Sequence, residues 1–492
     1  MKALLVYPTY PDTFWSFKSV LPFVSKKAAF PPLGLLTIAA MLPKTWEIRL
    51  VDTNVAPLGD VDLEWAELVL VSAMLVQVPS AQDIVRRAKR AGKIVIVGGP
   101  AFNAQRERFS GVDHFVLGEA ETVLPDFLKD FELGVAKAVY ESTERPDLDS
   151  TPFPVWELLN FKDYVSMSVQ YSRGCPFDCE FCDIVAMNGR GSRVKSPEHM
   201  LQELQGLYDA GWRDSVFIVD DNFIGNIVNV KDFLPKLAGW QKQRNYPFKL
   251  MTEASVNLAQ DSELLRMMSD ANFHKVFIGI ETPSVESLKE CGKKQNVATD
   301  FGSAVREIQQ HGMQVMGGFI VGFDSDTSTI FEQQVRFIQD IGVVTAMIGV
   351  LNALPRTRLW RRLKSEGRLL DGLSGENTDA CLNFIPAMGR EVLLEGYKEV
   401  VSILYSSKEY YARISKFLSS YAPLSRGRLF RTDIQAFMKS MWAIGVVSHS
   451  RFFYWKLIFK TLLTKPKALP VVVELAILGL HFERVARRIV AV

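Results

Sequence analysis

The chain has 492 residues, of which 48% are apolar and 23% are charged, and its net charge is +2. This is the composition of an ordinary globular protein, and the length excludes a single hydrophobic core, so we expect two or three domains. No apolar run reaches the ~18 residues that a bilayer-spanning helix needs, and the run at residues 3–7 is too short for a signal peptide. We therefore expect a cytoplasmic location.

The small net charge hides an asymmetry between the carboxyl-terminal tail and the rest of the chain. Residues 421–492 carry 12 Lys and Arg against 3 Asp and Glu, a net charge of +9, whereas the remainder carries −7. The tail is also rich in Phe, Trp, Leu and Val. The basic charge is therefore concentrated in a region that is apolar as well.

Residues 1–133 alternate strand and helix patterns. Short runs rich in β-branched residues predict five strands, which cover residues 2–8, 47–54, 68–75, 93–98 and 114–117. Helical patterns lie between them, notably at 33–42 and 80–91. Near-continuous apolar strands that alternate with helices indicate a parallel, doubly wound, Rossmann-like sheet.

Ligands of such sheets bind beyond the carboxyl ends of the strands. The residues expected at that edge include Ser72, Gly98, Gly99 and Glu119. The two glycines would let a backbone approach a large ligand closely. The alternative interpretation is that they only make a tight turn.

Residues 134–165 contain three prolines among polar neighbours, which predicts a linker. A second alternation of strands and helices follows over residues 166–370. Its predicted strands cover residues 166–172, 215–220, 248–255, 275–281, 314–322 and 345–352. Its predicted helices cover residues 197–210, 230–244, 262–270, 304–310, 327–341 and 358–365. Six such units predict a partial (β/α)6 barrel with its chemistry at the carboxyl mouth of the strands.

Residues 371–492 are predicted to form a mostly helical region, with candidate helices at 392–406 and 408–419. The segment 450–460 mixes aromatic and cationic side chains. A nucleic-acid surface would use such a mixture, but no other nucleic-acid motif appears, so we expect no nucleic-acid partner. Amphipathic helices that pack on the barrel, or a helix that lies on a membrane surface, are the two interpretations that remain.

Three of the five cysteines lie within eight residues, directly after the first predicted strand of the second unit. Cys175, Cys179 and Cys182 form a C-x3-C-x2-C motif. Three thiolates can hold three irons of a [4Fe–4S] cluster and leave the fourth iron open to another ligand. Zinc is one alternative, although it would need a fourth ligand, and structural thiols are another. Cys291 and Cys381 stand alone and have no assigned role, so buried or incidental thiols are the default.

This motif, at the first strand of a six-unit β/α barrel, resembles the radical S-adenosylmethionine (SAM) superfamily. Five short phrases are typical of the cobalamin-dependent branch of that superfamily. They are Phe-Pro-Pro-Leu-Gly-Leu at 30–35, Val-Gly-Gly-Pro at 97–100, Gly-Glu-Ala-Glu-Thr at 118–122, Asp-Asp-Asn-Phe at 220–223 and Leu-Pro-Arg-Thr-Arg-Leu-Trp at 354–360. Residues 1–133 then resemble a cobalamin-binding domain.

The resemblance implies that the open iron binds the amino and carboxylate groups of SAM. An electron from the reduced cluster would cleave SAM to methionine and a 5′-deoxyadenosyl radical, while the protein supplies positioning and electrostatics. Phe181 stands where the family contacts adenine, and Asp220, Asp221 and Asn222 stand where it binds the methionine ammonium. Carboxylates suit that role because a cation needs acceptors.

Four further residues are implied to contact SAM. Glu253 and Glu281 end the third and fourth predicted strands of the barrel, where they would accept hydrogen bonds from SAM hydroxyls or the ammonium. Gly318 and Gly322 resemble the fifth-strand segment that lies along the adenosyl group. Solvated or ion-paired carboxylates and simple strand curvature are the ordinary alternatives.

Many cobalamin domains bring a histidine to cobalt through an Asp-x-His-x-x-Gly motif, which this chain lacks. Its only histidine before the cysteine motif is His114, for which a buried structural role is favoured. We therefore expect no histidine on cobalt, as in most radical SAM relatives. Ser72, Gly98, Gly99 and Glu119 are the predicted cobalamin contacts.

The leading hypothesis is a cobalamin-dependent radical SAM methyltransferase that methylates an unactivated carbon of a hydrophobic substrate. The tail resembles that of a subgroup with hopanoid and bacteriochlorophyll side-chain methylases, which favours a hopanoid-type lipid first and a tetrapyrrole side chain second. An enzyme that forms a ring or a C–C bond without methyl transfer is one alternative, and an iron–sulfur binding protein that does not cleave SAM is another. The implied partners are an electron donor such as flavodoxin or ferredoxin and, through the tail, a membrane surface.

Overall fold

The computed structural model describes residues 1–370, 372, 374–376, 378–424 and 431–491, and for residue 431 the backbone alone. Its first unit contains six strands. They are β1 (Lys2–Tyr7), β2 (Glu47–Asp52), β3 (Leu68–Ser72), β4 (Ile94–Gly98), β5 (His114–Leu117) and β6 (Val139–Glu141). All neighbouring strands pair in parallel, in the order β2-β1-β3-β4-β5-β6. The direction in which successive strands are added to the sheet reverses between β1 and β3, although the strands themselves stay parallel.

Helices cover both faces of this sheet. They are α1 (Leu33–Met41), α2 (Asp60–Trp65), α3 (Val78–Arg90), α4 (Pro100–Gln105) and α5 (Ala120–Glu132). Successive side chains of a strand point to opposite faces, so the sheet has two cores. Leu5 packs in the core that α1 and α5 cover, and its neighbour Leu4 packs in the core that α2, α3 and α4 cover. Both leucines are 0% exposed, as the apolar strand pattern predicts.

The second unit is another six-stranded parallel sheet, in the order β14-β13-β12-β11-β10-β7, and a two-stranded ribbon, β8 with β9, stands beside it. The strands are β7 (Met167–Val169), β8 (Ser172–Arg173), β9 (Arg193–Val194), β10 (Ser215–Ile218), β11 (Lys249–Ala254), β12 (Phe273–Glu281), β13 (Gln314–Val321) and β14 (Thr345–Val350). Because β7 and β14 are not paired with each other, the barrel is partial, as predicted.

Helices cover only the outer face of the barrel sheet. They are α6 (Ile184–Asn188), α7 (Pro197–Asp209), α8 (Ile227–Gln243), α9 (Ser262–Asp270), α10 (Val285–Glu290), α11 (Lys294–Val297), α12 (Phe301–Gln310), α13 (Ile330–Ile341) and α14 (Arg358–Ser365). On β11 the outward side chains, such as Leu250, are buried, whereas Met251 and Glu253 are partly exposed. The inner face therefore borders an open space, which we call the lumen.

In the carboxyl-terminal region, the described residues form five helices. They are α15 (Arg390–Leu404), α16 (Ser407–Ser420), α17 (Arg431–Trp442), α18 (Arg451–Thr464) and α19 (Leu469–Ala491), with a π-helical turn at Ala443–Val447. Helix α15 packs on β14 and α13, and α19 packs on α15. Within the described residues, none of the helices has both the length and the apolar character that a bilayer span requires.

The predicted fold class is confirmed, with one local correction at the start of the barrel. The predicted strand at 166–172 is divided, since β7 ends at Val169 and β8 begins at Ser172. The division arises because Asp220 accepts hydrogen bonds from the Tyr171 N–H and the Ser172 hydroxyl, which turns the chain out of the sheet. The domain boundaries expected after residues 133, 165 and 370 stay predictions, and residue 371 lies outside the described residues.

Candidate functional site

The cysteine motif lies on a loop that leaves β7 at the carboxyl mouth of the barrel. The ribbon of β8 and β9 frames this loop, and Gly174 immediately precedes the first cysteine with φ +95°. A Cβ on Gly174 would lie 2.5 Å from the Gly191 carbonyl oxygen, so only glycine fits this turn. The loop therefore has a fixed shape before any metal is bound.

The three thiols fit the requirements of an iron–sulfur cluster. Cys175, Cys179 and Cys182 are free, and Cys179 is buried while the other two are partly exposed. Burial raises the pKa of each thiol above its usual value, so cluster binding must displace the protons. Within the described part of the chain, no three His, Cys, Asp or Glu side chains converge on a single ion. The cysteines of a [4Fe–4S] cluster bind different irons, so three free thiols on one loop are suited to that group.

Two aspartates at the end of β10 brace the cysteine loop. Asp220 binds Tyr171 and Ser172 at 2.8 Å, and Asp221 accepts hydrogen bonds from the Gly174 N–H at 2.7 Å and the Asn188 amide at 2.8 Å. Burial raises the pKa of Asp220 to about 7, although the hydrogen bonds from Tyr171 and Ser172 lower it. Both carboxylates thus hold the loop in place, and their contact with the SAM ammonium stays a prediction.

Asn222 connects the cysteine loop to the next strand. Its amide nitrogen lies 3.9 Å from the Cys175 sulfur and donates to the Ser255 hydroxyl at 3.1 Å. The Ser255 N–H in turn donates to the Asn222 carbonyl oxygen at 3.2 Å. Asn222 is therefore locked beside the first cysteine, and its predicted role with SAM is not tested.

Glu253 points into the lumen from the end of β11 and has no hydrogen-bond partner among the described residues. Desolvation by the surrounding protein raises its pKa to about 8, and the nearby charges of Asp221 and Asp220 add to the shift. A cation at this position would relieve that repulsion. Of the five predicted acidic and amide residues at the mouth, Glu253 is thus the one whose side chain is available to a ligand.

Glu281 pairs with a residue that sequence reasoning missed. Its carboxylate contacts the ammonium group of Lys293, and its backbone is held at φ +69°, which costs energy in a non-glycine residue. Burial opposes the charge of Lys293, but Glu281 and the nearby thiol of Cys179 outweigh it and raise the pKa of the lysine. Lys293 also lies 6.0 Å from the ring centroid of Phe181. This cation therefore stands beside the cysteine loop, where anionic ligands of the cluster would gather.

The loop is also clamped from outside. The Glu180 N–H donates to the Cys291 carbonyl oxygen at 2.8 Å, and the Glu180 carboxylate accepts from Arg362 at 2.8 Å. The Cys291 side chain is 2% exposed, and burial raises its pKa to about 12. Cys291 is thus an inert core thiol that supports the loop through its backbone, as the default interpretation of this residue expects.

The two glycines of β13 serve different purposes. A Cβ on Gly318 would meet Phe277 Cζ at 2.9 Å and Met347 Cε at 3.8 Å, so this residue lets the Phe277 ring pack closely against β13. Gly322, at φ +104°, lies under Leu393 of α15, which a Cβ would approach to 2.8 Å. The predicted contact of either glycine with the adenosyl group stays a prediction.

Aromatic side chains of the amino-terminal unit enter the lumen. The long loop after β1 carries Trp15, whose indole N–H lies 2.8 Å from the Met347 sulfur and whose ring lies 5.5 Å from Phe277. Farther along the same loop, Phe30 lies 5.4 Å from Phe217 of β10. All five side chains are partly exposed, so the lumen has a largely apolar and aromatic lining. The sequence carries no local signal of this contact, because it joins residues more than 180 positions apart.

At the carboxyl edge of the first sheet the structure brings three predicted cobalamin contacts together. Gly99, at φ +96°, packs so closely that a Cβ would lie 2.7 Å from the Ser72 hydroxyl, and a Cβ on Gly98 would lie 2.8 Å from the Val116 carbonyl oxygen. The same edge holds a cavity of about 320 Å³. Its polar lining includes Thr9, Thr53, Asn54, Ser80 and Arg87. A small-residue edge beside an open cavity fits a large ligand at the switch point of the sheet.

Glu119 joins the two units. Its carboxylate contacts Arg173 at 2.7 Å and Arg193 at 2.6 Å, and Glu121 also pairs with Arg173 at 2.7 Å. Arg173 directly precedes the turn of the cysteine loop, so the carboxyl edge of the first sheet faces the carboxyl mouth of the barrel. The Glu119 carboxylate is already engaged by the arginines, and its predicted contact with cobalamin is not tested.

His114 lies at the amino end of β5, away from the carboxyl edge of the sheet. It is partly exposed rather than buried, because it sits at the end of the strand, where Nδ1 lies 2.7 Å from the Lys137 carbonyl oxygen. The predicted burial of His114 is therefore wrong, whereas a structural role still fits its position. The expectation of no histidine on cobalt stays a prediction.

Three sequence families match consecutive parts of the chain. The B12 binding domain matches residues 24–128, the radical SAM superfamily matches residues 169–349, and a domain of unknown function, DUF4070, matches residues 357–492. The order of the first two families is the order of the two sheets described above.

Full-length relatives agree with this assignment. An uncharacterized methyltransferase of Synechocystis sp. is 41% identical over 98% of this chain and 91% of its own length. The hopanoid C-2 methylase of Rhodopseudomonas palustris is 34% identical over 94% of this chain and 89% of its own length. The radical SAM methyltransferase TsrM from Kitasatospora setae, solved with cobalamin and a [4Fe–4S] cluster, is 14% identical, with a TM-score of 0.63 over 96% of this chain and 98% of that one.

The resemblance inferred from the motifs is thereby confirmed, and the likeness to the solved structure adds the fold. The cofactors are a [4Fe–4S] cluster, SAM and cobalamin. The chain belongs to the cobalamin-dependent radical SAM superfamily, in the subgroup of the hopanoid and bacteriochlorophyllide methylases, and is a radical SAM methyltransferase.

Proposed function

We propose that this enzyme methylates an unactivated carbon of a hydrophobic polycyclic substrate, a hopanoid-type lipid. The observation that carries the proposal is the lumen, in which Trp15, Phe217, Phe277 and Met347 remain partly exposed although each is large and apolar. Such side chains gain free energy when an apolar ligand covers them. The 34% identity to a hopanoid C-2 methylase supports the same substrate class.

Some residues at the mouth of the barrel would hold the cofactors, and others position the cysteine loop. When bound, the cluster, SAM and cobalamin supply the radical chemistry and the methyl group. Cys175, Cys179 and Cys182 would hold the cluster, and Asp220 with Asp221 keeps their loop in shape. We assign the SAM-binding role to Glu253, Glu281, Phe181 and Asn222, and the cobalamin-binding role to the edge formed by Ser72, Gly98 and Gly99.

Within this proposal Glu253 and Lys293 act through charge. Glu253 offers a carboxylate to the ammonium group of SAM, and Lys293 offers a cation to its carboxylate or to the anionic cluster. The apolar lumen excludes water from the reacting carbon, which protects a radical from side reactions. A small electron-transfer protein such as flavodoxin or ferredoxin would supply the reducing electron, and a membrane reached through the carboxyl-terminal region would supply the lipid.

The test is methyl transfer with isotopically labelled SAM. The enzyme is reconstituted with its cluster and cobalamin and is offered a hopanoid and, separately, a tetrapyrrole. We expect the hopanoid to gain one labelled methyl group. A product with an unchanged number of carbons would overturn the methylation, and a label found in the tetrapyrrole alone would overturn the lipid.

A variant of the lumen separates substrate binding from cofactor loading. Gly318→Val adds a side chain whose Cβ alone would meet Phe277 Cζ at 2.9 Å, so the Phe277 ring must shift and we expect hopanoid methylation to fall at least about tenfold. Iron and cobalamin contents should match those of the wild type, because the neighbours of Gly318, Phe277 and Met347, are not among the proposed cluster or cobalamin residues. The matched control is Gly239→Val on the outer helix α8, where no heavy atom lies within 4 Å of the added Cβ. Equal losses in both variants would remove the lumen from the proposal.

A further inference from the structure

The carboxyl-terminal region exposes an unusual concentration of large apolar side chains. Among the described residues, nine of them fall between positions 434 and 463. They are Ile434, Met438, Trp442, Val446, Val447, Phe452, Phe459, Leu462 and Leu463. Single exposed apolar residues are common in proteins, but a concentration of this kind marks a contact surface.

The exposed apolar side chains of α18 lie on one face of the helix. Phe452, Phe459 and Leu463 are 70%, 58% and 86% exposed, and their spacing places them on one face of the helix. The opposite face, which includes Tyr454 and Ile458, is buried against the rest of the region. Helix α18 is therefore anchored on one side and presents an apolar stripe on the other.

Helix α17 repeats the arrangement. Ile434, Met438 and Trp442 follow each other at four-residue intervals and are 58%, 58% and 67% exposed. The π-helical turn at Ala443–Val447 joins α17 to α18 and packs on both. Two successive helices thus carry an exposed apolar stripe each.

Cations flank the stripe of α18. Lys456 and Lys460 are exposed and lie next to Phe452 and Phe459 on the helix surface. Among the described residues, no carboxylate forms an ion pair with either lysine. Aromatic side chains with lysines beside them are the pattern of a helix that lies in the interface of a bilayer. Each such lysine gains free energy from anionic headgroups.

The charge also argues against a second copy of the chain as the occupant. A two-fold interface brings identical surfaces together, so the lysines of one copy would face those of the other. The region offers few acidic residues to relieve that repulsion, since residues 421–492 carry +9. An anionic lipid surface has the opposite charge and no such penalty.

The surface is connected to the lumen. Helix α17 packs on the short turn at Leu21–Phe23, and the Lys439 ammonium donates to the Pro22 carbonyl oxygen at 2.7 Å. This turn belongs to the loop after β1, which carries Trp15 into the lumen. A lipid that leaves the bilayer at α17 would therefore meet the loop that lines the reaction site.

We propose that the exposed faces of α17 and α18 dock the enzyme on a bilayer with anionic headgroups. This inference rests on the proposed function, because a membrane would be the source of a hopanoid-type lipid. The apolar stripes enter the interface, and Lys456 and Lys460 contact the headgroups. Docking places the loop after β1 close to the membrane surface.

The experiment is flotation of the full chain, loaded with its cofactors, on vesicles of phosphatidylcholine with or without phosphatidylglycerol. We expect the wild type to bind anionic vesicles more strongly. The triple variant Phe452→Ser, Phe459→Ser, Leu463→Ser should bind at least about tenfold more weakly. The double variant Lys456→Glu, Lys460→Glu should lose the preference for anionic lipid, a change of about tenfold or more.

The matched control is Val228→Ser on α8, which is 79% exposed but lies outside the carboxyl-terminal region, and it should bind like the wild type. Melting temperatures confirm that the variants fold. The proposal fails if the wild type binds neither vesicle, if the triple variant binds as the wild type does, or if the wild type is a dimer that the triple variant converts to a monomer.

Methyl transfer to a detergent-dispersed hopanoid keeps the two proposals distinct. The triple variant should retain the wild-type rate on dispersed substrate and lose rate only on vesicle-borne substrate. A wild type that binds vesicles but methylates no hopanoid would leave the docking surface standing and remove the lipid substrate.

Discussion

The two parallel sheets have six strands each, but both faces of the first are covered by helices, whereas one face of the second borders the lumen. In the first sheet Leu4 and Leu5 are neighbours on β1, and both are fully buried, in separate cores. In the barrel sheet Leu250 is buried against outer helices, whereas its neighbour Met251 faces the lumen and is partly exposed. A sheet covered on both faces can bind a ligand only at its edge, while a sheet with an open face can also enclose one. In the proposed function, cobalamin and substrate therefore have different kinds of site.

The largest expected loss of stability comes from truncating neighbouring side chains in each of the two sheets. Leu4→Ala and Leu5→Ala should each lower the free energy of unfolding by about 3 kcal/mol, because each leaves a cavity in a closed core. Leu250→Ala should cost about the same, but Met251→Ala should cost only about 1 kcal/mol, because its side chain borders open space. Urea denaturation of the cofactor-free chain measures all four. A loss for Met251→Ala equal to that for Leu250→Ala would mean that the lumen is closed.

A smaller effect is expected where the two sheets meet. Glu119→Gln leaves Arg173 and Arg193 without their shared carboxylate, and we expect the free energy of unfolding to fall by about 2 kcal/mol. The value is below that of a fully buried pair, because the arginines are 14% and 23% exposed and water screens part of the charge.

The matched control for this interface is Asp83→Asn, which breaks a surface pair with Arg86 and should cost less than about 0.5 kcal/mol. Thermal unfolding compares the two variants. Equal stability of Glu119→Gln and wild type would show that the sheets do not depend on this contact.

A further effect concerns pH and arises in part at the barrel mouth. The pKa of Asp220 is raised to about 7 and that of Glu253 to about 8, so the folded chain holds protons that the unfolded chain releases near pH 4. Stability should therefore be greatest at low pH within this window and fall as pH rises from about 5 to 8, by at most about 1.4 kcal/mol per pH unit for each group.

Glu253→Gln tests whether Glu253 contributes to this pH dependence of stability, since a neutral amide does not titrate. Its unfolding free energy should decline less steeply with pH than that of the wild type, and the difference should level off above pH 8. Identical pH slopes for the variant and the wild type would mean that Glu253 is solvated rather than enclosed by the lumen.

Local patterns in the sequence were sufficient for the cluster site and for much of the fold. The spacing of Cys175, Cys179 and Cys182 encodes the ligand set within eight residues, and apolar runs bounded by turns mark the strands. Asp220 and Asp221 were found because they end a strand, although their side chains brace the cysteine loop. A role of that kind depends on contacts with residues 47 to 49 positions away, which a local pattern does not contain.

The sequence by itself therefore determined the three-cysteine motif, the order of the two α/β units and the basic, apolar character of the tail. Each of these follows from residue types and their short-range spacing. Only the tertiary structure decided that Lys293 stands beside the cysteine loop, that Glu119 joins the two units, and that Trp15 enters the lumen from another unit. Charges and aromatic rings act through space, so their partners become visible only when distant segments are packed together.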